Sequence, residues 1–259
     1  MQITMTMLLT ICPLVFLAGF VDSIAGGGGL ISLPSYLFIG LPPHCALGTN
    51  KFSSSFGTLI AATRYAKGKQ IHYKSAFSAA IAALVGSYLG AWLALSINEI
   101  FLSILLVVLL PMVAVFTLVN KKFGEENKAL NFSDRRVIAL SVGAGLLLGA
   151  YDGFFGPGTG TFLILILTGL VGFDLTTASG NAKIINLASN VAALVVFINN
   201  DAVVFAVGVP AALCGMLGGW LGAGFAVKNK SRIIRPVFIG VVALLFLKLL
   251  WDLFISLNV

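Results

Sequence analysis

The chain repeats itself at a spacing of 130–132 residues, and that repeat limits what it can fold into. Asp152 lies 130 positions after Asp22, and Gly156 lies 130 after Gly26. Ala178-Ser-Gly-Asn-Ala-Lys183 follows Ala46-Leu-Gly-Thr-Asn-Lys51 at 132, and Gly218-Gly-Trp-Leu-Gly-Ala223 follows Gly86-Ser-Tyr-Leu-Gly-Ala91 at the same spacing. A register this steady marks an internal repeat. One unit covers about 3–119 and the other about 137–256, with a charged linker at about 120–136.

Composition says what the units are made of. Of 259 residues, 59% are hydrophobic and only 10% charged, too little polar surface for a water-soluble domain of this size. Apolar blocks run at about 3–24, 29–41, 46–66, 74–97, 99–119, 136–170, 176–199, 202–226 and 231–256. The expectation is one polytopic, all-α transmembrane domain over 1–259. The formal charge of +7 does not point to a nucleic acid, because thirteen of the sixteen Lys/Arg fall in three short loops, 64–74, 120–136 and 228–235. Loops of that kind stay cytoplasmic. Cys12, Cys45 and Cys214 have no metal-ligand spacing, and no cofactor or metal is expected. The apolar stretch from Met1 to Ala25 lacks a basic n-region and reads as retained structure rather than a signal peptide.

Charge also orients the repeats. Lys67-Gly-Lys69 corresponds to Asn199-Asn-Asp201, and the turn Ile97-Asn-Glu99 corresponds to a place inside the basic run Lys228–Arg235. Matched loops carry opposite basic content, so the two units are expected to sit upside down relative to each other. Inverted units need an odd number of crossings each. The block 29–41 would be roughly 20 Å long as a helix, short of a roughly 30 Å hydrocarbon core. The Gly-rich breaks therefore read as tips of re-entrant or broken helices, which survive in a membrane only inside protein or beside water. The spacings Gly86, Gly90 and Gly218, Gly222 read as close helix packing.

Those breaks hold the candidate site. Gly26, Gly27 and Gly28 in one unit, and Gly156, Gly158 and Thr159 in the other, precede short apolar helices whose free N–H groups attract anions. Lys51 and Lys183 sit at matched places in apolar segments, near Thr49, Asn50, Asn181 and Asn186. Ammonium, hydroxyl and amide donors suit a small oxyanion, although a lysine near a segment end also snorkels to headgroups. Asp22 and Asp152, with Tyr151, are coupling or gating candidates; the alternative for the carboxylates is capping of the Gly turns.

The motifs Gly19-Phe-Val-Asp-Ser-Ile-Ala-Gly-Gly-Gly-Gly-Leu-Ile, Leu47-Gly-Thr-Asn-Lys-Phe, Tyr151-Asp-Gly-Phe-Phe-Gly-Pro-Gly and Asn181-Ala-Lys resemble the TauE/SafE family of sulfite and organosulfonate exporters, and most of all its YfcA-type bacterial members. The resemblance spans nearly the whole chain. It implies a secondary transporter, an exporter of small and often sulfur-containing anions, in a bacterial inner membrane. With the inverted units it implies alternating access. A passive anion channel is the alternative, and a membrane-embedded enzyme is a distant third because no HExxH or Gly-x-Ser-x-Gly pattern occurs. The expected partners are the anion and the bilayer, with a homo-oligomer left open.

Overall fold

A computed structural model describes residues 4–96, 127–230, 232–234, 236–237 and 239–240. The expected span 99–119, the linker up to residue 126 and most of the span 231–256, with Arg235, Lys248 and Trp251, lie outside the described residues.

The described residues include the α-helices α1 Met5–Ala25, α2 Gly29–Phe38, α3 Pro43–Lys67, α4 Tyr73–Ser96, α5 Asp134–Phe154, α6 Thr159–Gly169, α7 Leu175–Asn199 and α8 Phe205–Asn229, with further helical residues at 232–234, 236–237 and 239–240. The end of the expected linker is ordered: Lys128–Asn131 form a 3-10 turn, and residues 134–136 already belong to α5. Five helices, α1, α4, α5, α7 and α8, are long and apolar enough to cross a membrane. α2 and α6, at 10 and 11 residues, reach only about 15–17 Å.

Local chemistry sets the ends of these helices. Gly26 takes φ 81°, a conformation that glycine alone adopts at little cost, and its N–H closes α1 on the Asp22 carbonyl at 2.7 Å. α6 starts after Gly158, at φ 84°. Pro43 opens α3, where its missing N–H costs nothing. The Asp174 carboxylate caps α7 by accepting from the N–H groups of Thr176 and Thr177 at 3.0 and 3.1 Å. Lys69 and Asp201, 132 positions apart, both have φ 54° in the turns after α3 and α7. The following N–H bonds back in each: Gln70 to Tyr65 O at 3.1 Å, Ala202 to Phe197 O at 2.9 Å.

The long helices present small residues inward and large apolar ones outward. Gly86 and Gly90 of α4 lie against the backbone of α5 at Leu146 and Ala150; Gly218 and Gly222 of α8 lie against α1 at Phe16 and Phe20. A Cβ at any of the four would meet a carbonyl oxygen, so the helices approach as closely as backbones allow. On the opposite faces Phe77, Ile81, Val85 and Leu89 of α4, and Leu213, Leu217, Leu221 and Phe225 of α8, are exposed at four-residue spacing. An apolar stripe of that kind suits hydrocarbon and not water. α1 packs on α8 and α4 on α5; α3 packs on α8 and α4 on α7; α3 and α7 meet each other. α3 is the least apolar of the long helices because its polar residues, Thr49, Asn50, Lys51, Ser53 and Ser55, are turned inward and buried.

Candidate functional site

The two Gly-rich turns meet. Gly26 stands face to face with Gly160, and a Cβ on either would run into the other's backbone. Thr161 locks the contact: its N–H donates to Gly26 O at 3.2 Å and its hydroxyl to Ala25 O at 3.0 Å. These donors near the start of α6 are therefore taken by carbonyls of the other turn. Tyr151 also braces its own turn, its hydroxyl donating to Pro157 O at 2.7 Å.

The charged side chains cross between the units. Lys51 Nζ, on α3, lies 2.8 Å from Asp152 Oδ2 at the end of α5. Lys183 Nζ, on α7, lies 2.7 Å from Asp22 Oδ2 near the end of α1 and 2.5 Å from the Asp22 carbonyl. Each lysine thus holds the aspartate of the other repeat unit. Neither snorkels: their side chains are 2% and 0% exposed. An isolated charge at mid-membrane costs about 2.5–3.5 kcal/mol on insertion scales, and in these apolar helices each of the four is paired instead. Neighbours complete the shells. Lys51 also donates to Asn190 Oδ1 at 3.2 Å, and the Ser189 hydroxyl donates to Asp152 Oδ2 at 2.6 Å. Gly28 N–H donates to Asp22 Oδ1 at 3.2 Å, so this carboxylate does cap a Gly turn, as well as pairing with lysine.

Beside these pairs lies a cavity of about 50 Å³. About 10–15 Å³ admits one water, so the space suits a few waters or one small oxyanion. Asp22 and Asp152, Gly26 and Gly156, Gly28 and Gly158, Ser54 and Asn186, and Thr58 and Asn190 line it in repeat-matched pairs. The rest of the lining is lopsided. Val15, Ala18 and Gly19 of α1 contribute where their counterparts on α5 do not, and Lys51 contributes where Lys183 does not. α2 also brings Gly29 and Ser32, and α3 Asn50, with Ser32 donating to Asn50 Oδ1 at 2.6 Å.

Of the residues expected to bind an anion, Gly26, Gly28, Asn50, Lys51, Gly156, Gly158 and Asn186 line the cavity, while Gly27, Thr49, Thr159, Asn181 and Lys183 do not. The reason is plain for two of them. Thr49 Oγ1 accepts the Val204 N–H at 3.0 Å, and Asn181 Oδ1 accepts the His72 N–H at 2.9 Å. Both tie down loops ahead of α8 and α4. Ser32 and Gly160 were not singled out in the sequence, whereas Gly29 closes the Gly-rich run that was. The signal available for Ser32 was its place one turn after Gly28, on the face of α2 nearest the break.

Comparison with known proteins bears on what this site belongs to. The model of the family described as Sulfite exporter TauE/SafE matches residues 11–249. The chain belongs to the TauE/SafE family. Its similarity to family relatives is spread over their length. A Sinorhizobium protein named "Probable membrane transporter protein ORF9" is 36% identical over 92% of this chain and 90% of its own. A Haemophilus influenzae protein named "Probable membrane transporter protein" is 33% identical over 92% of each. The Escherichia coli "Probable membrane transporter protein YfcA" is 34% identical over 91% of this chain and 87% of its own. No solved structure matches the chain. TauE/SafE membership and the five long apolar helices together make this a multi-pass membrane protein.

Proposed function

We propose that the protein is a secondary transporter that exports small oxyanions, sulfur-containing ones foremost, across the bacterial inner membrane by alternating access. The observation that carries the reading is the cavity between the two turns. It is about the size of one small oxyanion and is lined by an ammonium, side-chain amides and hydroxyls together. The family description as sulfite exporters supports the sulfur oxyanion class.

Inverted repeats and re-entrant turns belong to the same proposal. Matched helix lengths, exchanged ion pairs and the shared turn at Lys69 and Asp201, built from opposite charges, all support it. With the basic loops 64–74, 120–136 and 228–235 facing the cytoplasm, the two units point in opposite directions. The lopsided lining supports alternating access: an exchange of the two units' conformations would carry the open part of the cavity to the other face.

The test is flux. Protein in liposomes should move sulfite or thiosulfate with saturation, and Lys51→Ala should abolish it. Flux that rises linearly with anion concentration would favour the channel, and no flux of any sulfur oxyanion would overturn the substrate class.

A further inference from the structure

The four charges at the turns sum to zero, and this makes an anion hard to admit. Lys51 and Lys183 are each neutralised by an aspartate, so a bound anion would add a negative charge beside two carboxylates. Hydrocarbon-depth sites charge about 2.5–3.5 kcal/mol for one such uncompensated group. Building on the anion-transport reading, we propose that a proton binds together with the anion and that Asp22 carries it.

The geometry selects Asp22 over Asp152. Both aspartates line the cavity, but the Asp22 side chain is 19% exposed and that of Asp152 3%. Asp152 Oδ2 is held twice, by Lys51 at 2.8 Å and by the Ser189 hydroxyl at 2.6 Å. Asp22 Oδ2 is held by Lys183 alone, and its Oδ1 by one amide at 3.2 Å. Protonating Asp22 also leaves no ammonium stranded, because Lys183 keeps the Asp22 carbonyl. The site then carries one net positive charge, on Lys183 beside the Asp22 that lines the cavity, while Lys51 on the cavity wall stays paired with Asp152.

The surroundings hold few competitors for that proton. Around α1, α7 supplies Lys183, α5 supplies Asp152, and α3 supplies Lys51 and Tyr65, whose hydroxyl donates to Ser23 O at 2.9 Å. α2 supplies Tyr36, bonded to Ser53 Oγ at 2.7 Å. α6 carries no titratable side chain, and α8 carries Cys214 and, at its far end, Lys228. The remaining titratable residues of α3 stand toward its ends, His44 and Cys45 at the start and Arg64 and Lys67 in the last turn, and Cys12 lies on α1 itself.

Titration calorimetry on the purified full chain tests this, using methanesulfonate and thiosulfate, whose charges are fixed between about pH 5.5 and 8. The expected result is affinity that tightens ~tenfold per pH unit lowered, with about one proton taken up per anion. Uptake is read from the dependence of the heat on buffer ionisation enthalpy, which needs no variant. Asp22→Asn should still bind but lose both the pH slope and the uptake. Binding without proton uptake, or a slope that survives in Asp22→Asn, overturns the proton proposal and leaves the anion reading standing. Binding of neither anion at any pH overturns both.

Discussion

Lys51 Nζ and Asp152 Oδ2 meet at 2.8 Å across the two repeat units, with both side chains shut away from solvent. Removing one partner of a buried pair leaves the other charge unpaired, at about 3–5 kcal/mol. Lys51→Ala is therefore expected to lower the unfolding temperature in detergent strongly. Lys51→Leu combined with Asp152→Asn should recover most of that loss yet remain without flux. Equal destabilisation in the single and double variants would show that the pair is not the stabilising unit.

Thr49→Val and Asn181→Ala are expected to weaken the fold but not the binding of anion. Each leaves a loop N–H, of Val204 or His72, without its acceptor, which costs about 1–3 kcal/mol if the amide stays buried. Thermal unfolding should fall while the anion dissociation constant of the folded protein holds. A weakened constant at unchanged stability would put these side chains on the substrate.

Gly26→Ala should be among the most damaging single substitutions in the chain. It forces a side chain to φ 81°, which costs roughly 1–2 kcal/mol, and pushes a methyl into the backbone of Gly160 and Thr161. Gly143→Ala is the control, because its Cβ would meet nothing within 4 Å. Thermal unfolding of the two variants, purified in parallel, measures the difference.

Lys69→Cys and Asp201→Cys should be labelled from opposite faces of the membrane. In a background with Cys12, Cys45 and Cys214 replaced, a membrane-impermeant maleimide added to intact spheroplasts should reach residue 201 and not residue 69. Labelling of both from one face would remove the inversion, and with it the alternating-access scheme built on it.

Much of this architecture was legible in the chain because glycine, proline and charge act locally. The breaks at Gly26 and Gly156–Gly158 fall where the sequence placed them, and the short helices after them follow from the length of the apolar runs. The partners of Lys51 and Lys183 were not legible, since each lies more than a hundred residues away on the other unit. Counting charge would have narrowed the choice: two lysines and two aspartates stranded in apolar segments satisfy one another before any ligand arrives. Thr49 and Asn181 have partners that were not legible for a different reason. They neighbour the lysines in sequence, but a helix turns successive side chains by about 100°, and at these positions it aims them at loop amides.

The crossed pairing has a consequence for how such a molecule can be assembled. Lysine of one unit to aspartate of the other, and the reverse, is the contact pattern of an isologous dimer, in which residue i meets j and j meets i. Two identical copies of a single unit would close the same two bonds. The covalent link between the units is therefore not what completes the charge network: two separately made halves that find each other in the bilayer would close the same two bonds and neutralise all four groups.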